Sequence, residues 1–240
     1  MASVLDLPRQ QLTPGMQQYQ DVKREHPDCV VMLRMGDFYE MFYDDAVLAA
    51  RELEITLTAR GQGDKRAPLA GIPFHALENY LGRLIRKGYK VALVEQLEDP
   101  KKAKGLVKRG VTRIITPGTI IEQGLLTEKE NNYLASVVAR EGYALAVCDV
   151  STGEFCTLML ENSIALHNEI ARYHPSEIVI PESLQVNAEL VSALKSFGLV
   201  NARADYFFSQ DKAGEVLQQH FRTSLAALGL EKSENIAAAG

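Results

Sequence analysis

The chain has 240 residues, 46% of them hydrophobic and 24% charged, with a formal net charge of −5. That balance supports buried cores and excludes general disorder, and domains cluster near ~100 to 150 residues, so two domains are expected. The three cysteines, Cys29, Cys148 and Cys156, fit neither a disulfide framework nor a paired zinc motif, and no stretch approaches the ~18 to 20 apolar residues of a membrane span. A cytoplasmic protein is expected.

The charge is distributed unevenly. Up to Pro117 there are 18 Lys and Arg against 15 Asp and Glu, whereas from Gly118 onward 8 stand against 16. Only the first half suits an anionic partner.

In chain order, Thr13-Pro14 predicts a helix start, with Met16, Tyr19 and Val22 on one face and the end before Pro27. "CVVMLRM" predicts a strand, and Gly36-Asp37 turns the chain into a second, "FYEMFY". A helix over "DDAVLAARELE" and a strand over "ITLTARG" follow. "APLAGIPFHALENYLGRLIRKG" reads as a Pro- and Gly-containing loop leading into an amphipathic helix with Leu77, Leu81, Leu84 and Ile85 inward. "YKVALVEQL" is a buried strand, "KKAKGLVKRG" a basic run and "VTRIIT" a last strand before Pro117-Gly118. These bounds place a first domain at 1–117, a linker at 118–130, where the charge changes sign, and a second domain at 131–240.

The second domain opens with three strands, "NYLASVVAR", "YALAVCDVS" and "EFCTLML", joined by tight turns. Helix 163–173, strand "EIVIP", helix 186–197 and strand "VNARA" come next. Three antiparallel strands followed by α-β-α-β is the order of a ribonuclease-H-like mixed sheet. The tail after Phe207 is helical, and its Ala-rich, uncapped end "ENIAAAG" reads as a helix interrupted, so the chain is expected to belong to a longer protein. The fold class is α/β in two domains.

Several chemistries fail early. His26, His75, His167, His174 and His220 are scattered without metal-ligand spacing, and no Gly-Lys pair occurs, which excludes a phosphate loop of the G-x-x-x-x-G-K-[ST] type. An enzymatic alternative is a metal-dependent nuclease of ribonuclease-H type using Asp149, which ends the strand "YALAVCD"; neither Glu169 nor Glu177 is marked as its partner, and an aspartate closing a strand before a Ser-Thr-Gly turn is the preferred reading. The basic run, with Lys101, Lys102, Lys104, Lys108 and Arg109, fits a solvated loop or a phosphate-contacting one, which Arg60 and Arg113 near strand ends could join.

The stretch "MGDFYEMFYDDA" carries the sharpest ambiguity. Strand alternation places Phe38, Glu40 and Phe42 on one face and Tyr39, Met41 and Tyr43 on the other. One reading buries both faces and leaves Glu40 at the rim. The other makes Phe38 an exposed wedge able to stack between bases, with Glu40 at a base edge. Periodicity leaves both open.

These residues, with "TPGMQQY" before them and "AGIPFHALENYL", "EQLEDP" and "RIITPGTI" after, closely resemble the N-terminal region of the MutS family of bacterial DNA mismatch repair proteins. The likeness continues more loosely through "DVSTGEF" and "HPSEIVIPE". The resemblance implies a mixed-sheet mismatch-binding domain followed by a ribonuclease-H-like connector without nuclease activity. It implies that Phe38 intercalates at the mispaired base, that Glu40 hydrogen-bonds that base, and that Met35, Gly36 and Asp37 lie near the lesion. Mismatches and small insertion/deletion loops in duplex DNA are the implied targets. It further implies a full-length homodimer with ATP and Mg²⁺ bound in a domain absent here, and recruitment of MutL, for which Gln218 and Gln219 are candidate contacts. No cofactor is implied for these two domains. One departure is Ala59-Arg60, where relatives often carry two basic residues, so a backbone contact from position 59 is not expected.

Overall fold

The computed structural model describes residues 3–61, 66–99, 105–121, 124–125, 130–230 and 233–240. They form two compact units, Met1–Thr116 and Pro117–Gly240.

The first unit contains, in chain order, α1 (Pro14–Glu25), β1 (Cys29–Met35), β2 (Phe38–Phe42), α2 (Tyr43–Leu53), β3 (Thr58–Arg60), β4 (Ala67–Pro73), α3 (Leu77–Arg86), β5 (Lys90–Gln96) and β6 (Arg109–Ile115). Its sheet has the order β3-β4-β2-β1-β5-β6. Only β1 and β5 run parallel, and the other neighbours are antiparallel. On one face Met16, Tyr19 and Val22 of α1 pack on Val31, Leu33, Phe42, Ala92 and Val94. The spacing of those α1 residues is the one a helix needs to present a single apolar stripe.

The expected strand "ITLTARG" shrinks to Thr58–Arg60, and the expected loop over "APLAGIP" is instead β4, paired on both sides. Pro and Gly argued against a strand here, but the prolines occupy tolerable positions. Pro73 ends the strand, and Pro68 lies one residue beyond the β2 pairing, which begins at Phe42↔Leu69. Strand β6 also begins earlier than expected and takes in Arg109 from the basic run.

A buried carboxylate fixes the corner between β2 and α2. Tyr43 adopts a left-handed φ of 52°, which is costly for a residue with a Cβ. Two residues later, Asp45 accepts hydrogen bonds from the Tyr19 hydroxyl of α1, the Lys23 ammonium at 2.8 Å and the Val31 amide of β1 at 3.0 Å. Burial, and then the neighbouring Asp45 charge, push the Tyr19 phenol well above its ordinary value, so it stays a donor. One side chain thus ties α1, β1 and α2 together.

The second unit contains β7 (Tyr133–Ala139), β8 (Tyr143–Asp149), β9 (Glu154–Leu160), α4 (Ser163–Tyr173), β10 (Glu177–Pro181), α5 (Ala188–Lys195), β11 (Leu199–Arg203), α6 (Gln210–Phe221) and α7 (Ser233–Ala239). Its sheet order is β11-β10-β7-β8-β9, with β10 parallel to both neighbours and β7-β8-β9 antiparallel. That is the ribonuclease-H-like arrangement. Helices α4 and α5 bury Leu166, Ile170, Leu190 and Leu194 against one face, and Ala237 and Ala238 of α7 pack on the other. Gly118, within the stretch read as linker, is buried in this unit. Its amide donates to Glu177 Oε2 at 3.1 Å, and a Cβ there would lie 2.9 Å from that of Glu177.

Replacing Asp45 with Ala would leave the Lys23 ammonium without its counter-charge, with the Cys29 carbonyl at 2.6 Å as its remaining acceptor, and would take from the Val31 amide its Asp45 acceptor in the interior. Such a change is expected to cost about 3 to 5 kcal/mol, read as a lower denaturant midpoint for the first unit, with α1 losing protection from hydrogen exchange.

Candidate nucleic-acid interface

The hairpin that carries the site is defined by its register. Met35 pairs with Phe38 and Arg34 with Tyr39, so Gly36 and Asp37 alone make the turn. Gly36 has φ +60°, and positive φ at the first position of a two-residue loop is where glycine is favoured. Met35 is half-buried beside Gly15, while Gly36 and Asp37 are exposed.

On β2, Phe38, Glu40 and Phe42 share the face on which α1 lies, but their environments diverge along the strand. Phe42 is buried, its ring 5.2 Å from that of Tyr19 in an edge contact. Phe38, about 13 Å away at a rise of ~3.3 Å per residue, is 47% exposed. Glu40 lies between them, half-buried. Opposite Glu40 on β4 stands Gly71, and a Cβ built there would lie 3.7 Å from the Phe38 ring and 3.9 Å from Glu40 Cγ. The aromatic ring and the carboxylate therefore rise side by side from bare backbone. They border an open concavity of about 510 Å³ that Thr56, Thr58 and Leu69 also line.

Burial pushes the Glu40 carboxyl above its ordinary value, and Arg60 and Arg109 oppose that rise without cancelling it. Arg60, across β4 on β3, pairs with Glu40 at 2.9 Å. Glu40 is thus held oriented, in a setting that makes its protonated, donating form more accessible than that of a free glutamate.

The other face of β2 is spent on structure. The Tyr39 hydroxyl donates to Glu95 of β5, and Met41 is fully buried. The reading in which both faces of β2 are covered therefore holds for Tyr39, Met41 and Phe42 and fails at Phe38.

The basic candidates are scattered. Lys101, Lys102 and Lys104 lie outside the described residues. Lys108 is exposed, its amide donating to Glu98 Oε1 at 2.7 Å. Arg109 is turned inward and donates to the Arg34 carbonyl at 2.7 Å, to Gln18 Oε1 at 3.1 Å and to the Val107 carbonyl at 3.1 Å. Arg113 is exposed, but an irregularity between Leu93 and Val94 sets it opposite Leu93, while Val111 stands opposite Val94. By strand alternation Arg113 points to the face away from Arg109. Of the described residues in this set, only Arg60 and Arg109 act electrostatically on Glu40.

In the second unit, Asp149 is buried at the end of β8 and committed to the next turn. Oδ1 accepts from the Ser151 amide at 2.8 Å and hydroxyl at 2.7 Å, and Oδ2 from the Asn132 amide at 3.1 Å. Burial opposes its ionisation, but these bonds prevail and hold its carboxyl below the ordinary range. Among the described residues no group of three or more His, Cys, Asp or Glu could hold a metal, and no helix is long and apolar enough to cross a membrane. The geometry favours the turn reading of Asp149 over the nucleolytic one. Gln218 and Gln219 are both exposed on α6, between the half-exposed Val216 and Phe221.

Comparison with known proteins fits this architecture. The model of MutS domain I matches residues 13–124, and that of MutS domain II matches residues 132–240. The chain belongs to the MutS family. It is 48% identical over 241 aligned residues to the DNA mismatch repair protein MutS of Methanosarcina acetivorans, covering 93% of this chain and 27% of that protein. The proteins of the same name from Methanococcoides burtonii and Symbiobacterium thermophilum are 50% and 47% identical, over 89% and 92% of this chain. The chain spans about a quarter of the length of these curated relatives, 25% to 27%. The MutS domain I match contains Phe38, Glu40, Arg60 and Gly71 together.

Residues missed in the sequence include Gly71, hidden because β4 reads as a loop, and Arg34 and Phe74, which surround the turn. The motif "AGIPFHALENYL" contains Gly71 and Phe74, but no local pattern marks Arg34.

The shift at Glu40 has a measurable sign. A raised folded-state value means that its stabilising contribution is present below the ordinary glutamate pKa and is lost as pH rises through the folded value. Glu40→Gln is therefore expected to match the wild type in thermal stability at low pH and to gain on it as pH rises toward neutrality. A constant difference across that range would contradict the environment described for Glu40.

Proposed function

We propose that the first unit reads mispaired bases and small insertion/deletion loops in duplex DNA by inserting Phe38 into the base stack, with Glu40 hydrogen-bonding the displaced base. The observation that carries this reading is the pair itself: an exposed ring and a half-buried carboxyl side by side over the bare backbone of Gly71. A ring at a hairpin end can wedge stacked bases apart at a cost of a few kcal/mol, least where pairing is already broken, so the wedge selects lesions by the duplex's own weakness. A carboxylate near phosphates is repelled, but a carboxyl that burial pushes above its ordinary value takes up a proton more readily and in that form can donate to a base acceptor. Arg60 keeps that carboxyl aimed while DNA is absent.

Met35, Gly36 and Asp37 would border the lesion, being the hairpin end from which Phe38 projects. Phosphate contacts from Lys101, Lys102, Lys104 and Lys108, with Arg60, Arg109 and Arg113 as further candidates, would supply the salt-dependent component of binding.

The second unit fits a relay and docking module. We place recruitment of MutL at the exposed α6 surface around Gln218 and Gln219. In a protein as long as the relatives, ATP and Mg²⁺ binding, ATP hydrolysis and homodimer contacts would lie outside these two domains, and the place of action would be the bacterial cytoplasm and nucleoid.

Leaving Phe38 half in water forgoes roughly 1 to 2 kcal/mol that burial would return, so its truncation should leave stability within about 1 kcal/mol of the wild type. In the full-length protein Phe38→Ala is expected to bind mismatched and matched duplexes with nearly equal affinity at fixed salt, with an unchanged melting temperature. A retained preference for the mismatch would sink the assignment.

A further inference from the structure

The turn that presents Phe38 is braced by two residues outside it, one through its side chain and one through its backbone amide. Arg34, the penultimate residue of β1, donates from Nε to the Gly36 carbonyl. Its guanidinium carbon lies 4.0 Å from the centroid of the Phe74 ring and 5.6 Å from that of Tyr39, so it stacks between two aromatic rings. Phe74 follows β4 directly, and its amide donates to the Asp37 carbonyl at 2.9 Å. Both carbonyls of the two-residue turn are therefore held from outside it, one by Arg34 and one by Phe74, and the stack joins the two holders. Arg109 closes the arrangement from the far side by donating to the Arg34 carbonyl at 2.7 Å.

Alternation separates this brace from the reading face. Arg34 pairs with Tyr39, and Phe38 pairs with Met35, so Arg34 points to the side of the sheet away from the wedge. A base stacked on Phe38 would therefore be out of its reach.

We propose that Arg34 and Phe74 are a positioning pair for the wedge: stacked on one another, they hold the Gly36–Asp37 turn in the shape that projects Phe38. The proposal rests on the reading of Phe38 as the wedge. Its physical basis is preorganisation. A two-residue turn with one glycine is free to rock, and each alternative orientation would have to be given up on entering the base stack. A planar guanidinium can serve a carbonyl and an aromatic face together, which a compact ammonium cannot do in the same geometry.

The test uses the full-length protein with Arg34→Gln, Phe74→Leu, the double variant, Arg34→Lys and Phe74→Tyr. Affinity for a mismatched and a matched duplex is measured over a range of salt, beside a thermal melt. Arg34→Gln and Phe74→Leu are each expected to lower the mismatch-to-match affinity ratio by about three- to tenfold, the range expected for a partly desolvated cation–π contact. The double variant should fall no further than the worse single variant, because both remove one stack. Phe74→Tyr should keep the ratio, whereas Arg34→Lys should lose some of it, which gives a reading even if Arg34→Gln folds poorly. Matched-duplex affinity and its salt slope should not change. A ratio unchanged in both single variants, or losses that add in the double variant, would overturn the proposal. So would an equal loss on both duplexes with a salt slope shallower by about one, the mark of a phosphate contact. Phe38→Ala in the same assay separates the two levels: if it keeps the ratio, the wedge reading has failed, and if it loses the ratio while the pair variants keep it, only the positioning proposal has failed.

Discussion

A β-strand must alternate its side chains, and α1 covers only a portion of the face on which Phe38, Glu40 and Phe42 stand. Strand β2 is fixed on both edges, by β1 through Met35↔Phe38 and by β4 through Phe38↔Pro73, so it cannot slip to hide the exposed ring. At its far end Phe42 is locked under Tyr19, and Asp45 anchors the following corner. The core thus holds one end of a five-residue strand rigid, and the other end extends past it carrying an aromatic ring. The exposure of Phe38 follows from that geometry.

The electrostatic design follows from the same placement. Glu40 is one alternation closer to the core than Phe38, so burial pushes its carboxyl above the ordinary value, against the opposing pull of Arg60 at 2.9 Å. A fully buried carboxyl could not reach a base, and a fully exposed one would stay charged against phosphates. Gly71 keeps the floor beneath both side chains flat. The intermediate position lets one group be preorganised by a cation and still be available as a donor.

Much of this was legible in the sequence. The alternation of "FYEMFY", the Gly36 turn and the order of strands and helices in the second unit all follow from local pattern, because period and turn chemistry act over a few residues. The local pattern failed where neighbours decide. Strand β4 carries two prolines and a glycine and becomes a strand only because β2 and β3 offer partners on either side. Asp45, Arg34 and Phe74 look like an ordinary helix-start acid, strand cation and loop aromatic until the fold assembles them. Burial of Phe42 and exposure of Phe38 cannot be told apart by period, since both lie on the same face. The run of basic residues suggested one patch, yet the irregularity in β5–β6 pairing turns Arg113 away from Arg109.

The central claim is that Phe38 enters the base stack at a mispair, and a fluorescent base that brightens on unstacking reports this directly. Placed beside a mismatch, 2-aminopurine should brighten when saturated with the wild-type full-length protein and stay dark when saturated with Phe38→Ala. Equal brightening with both proteins, or none with the wild type at saturation, would contradict the account.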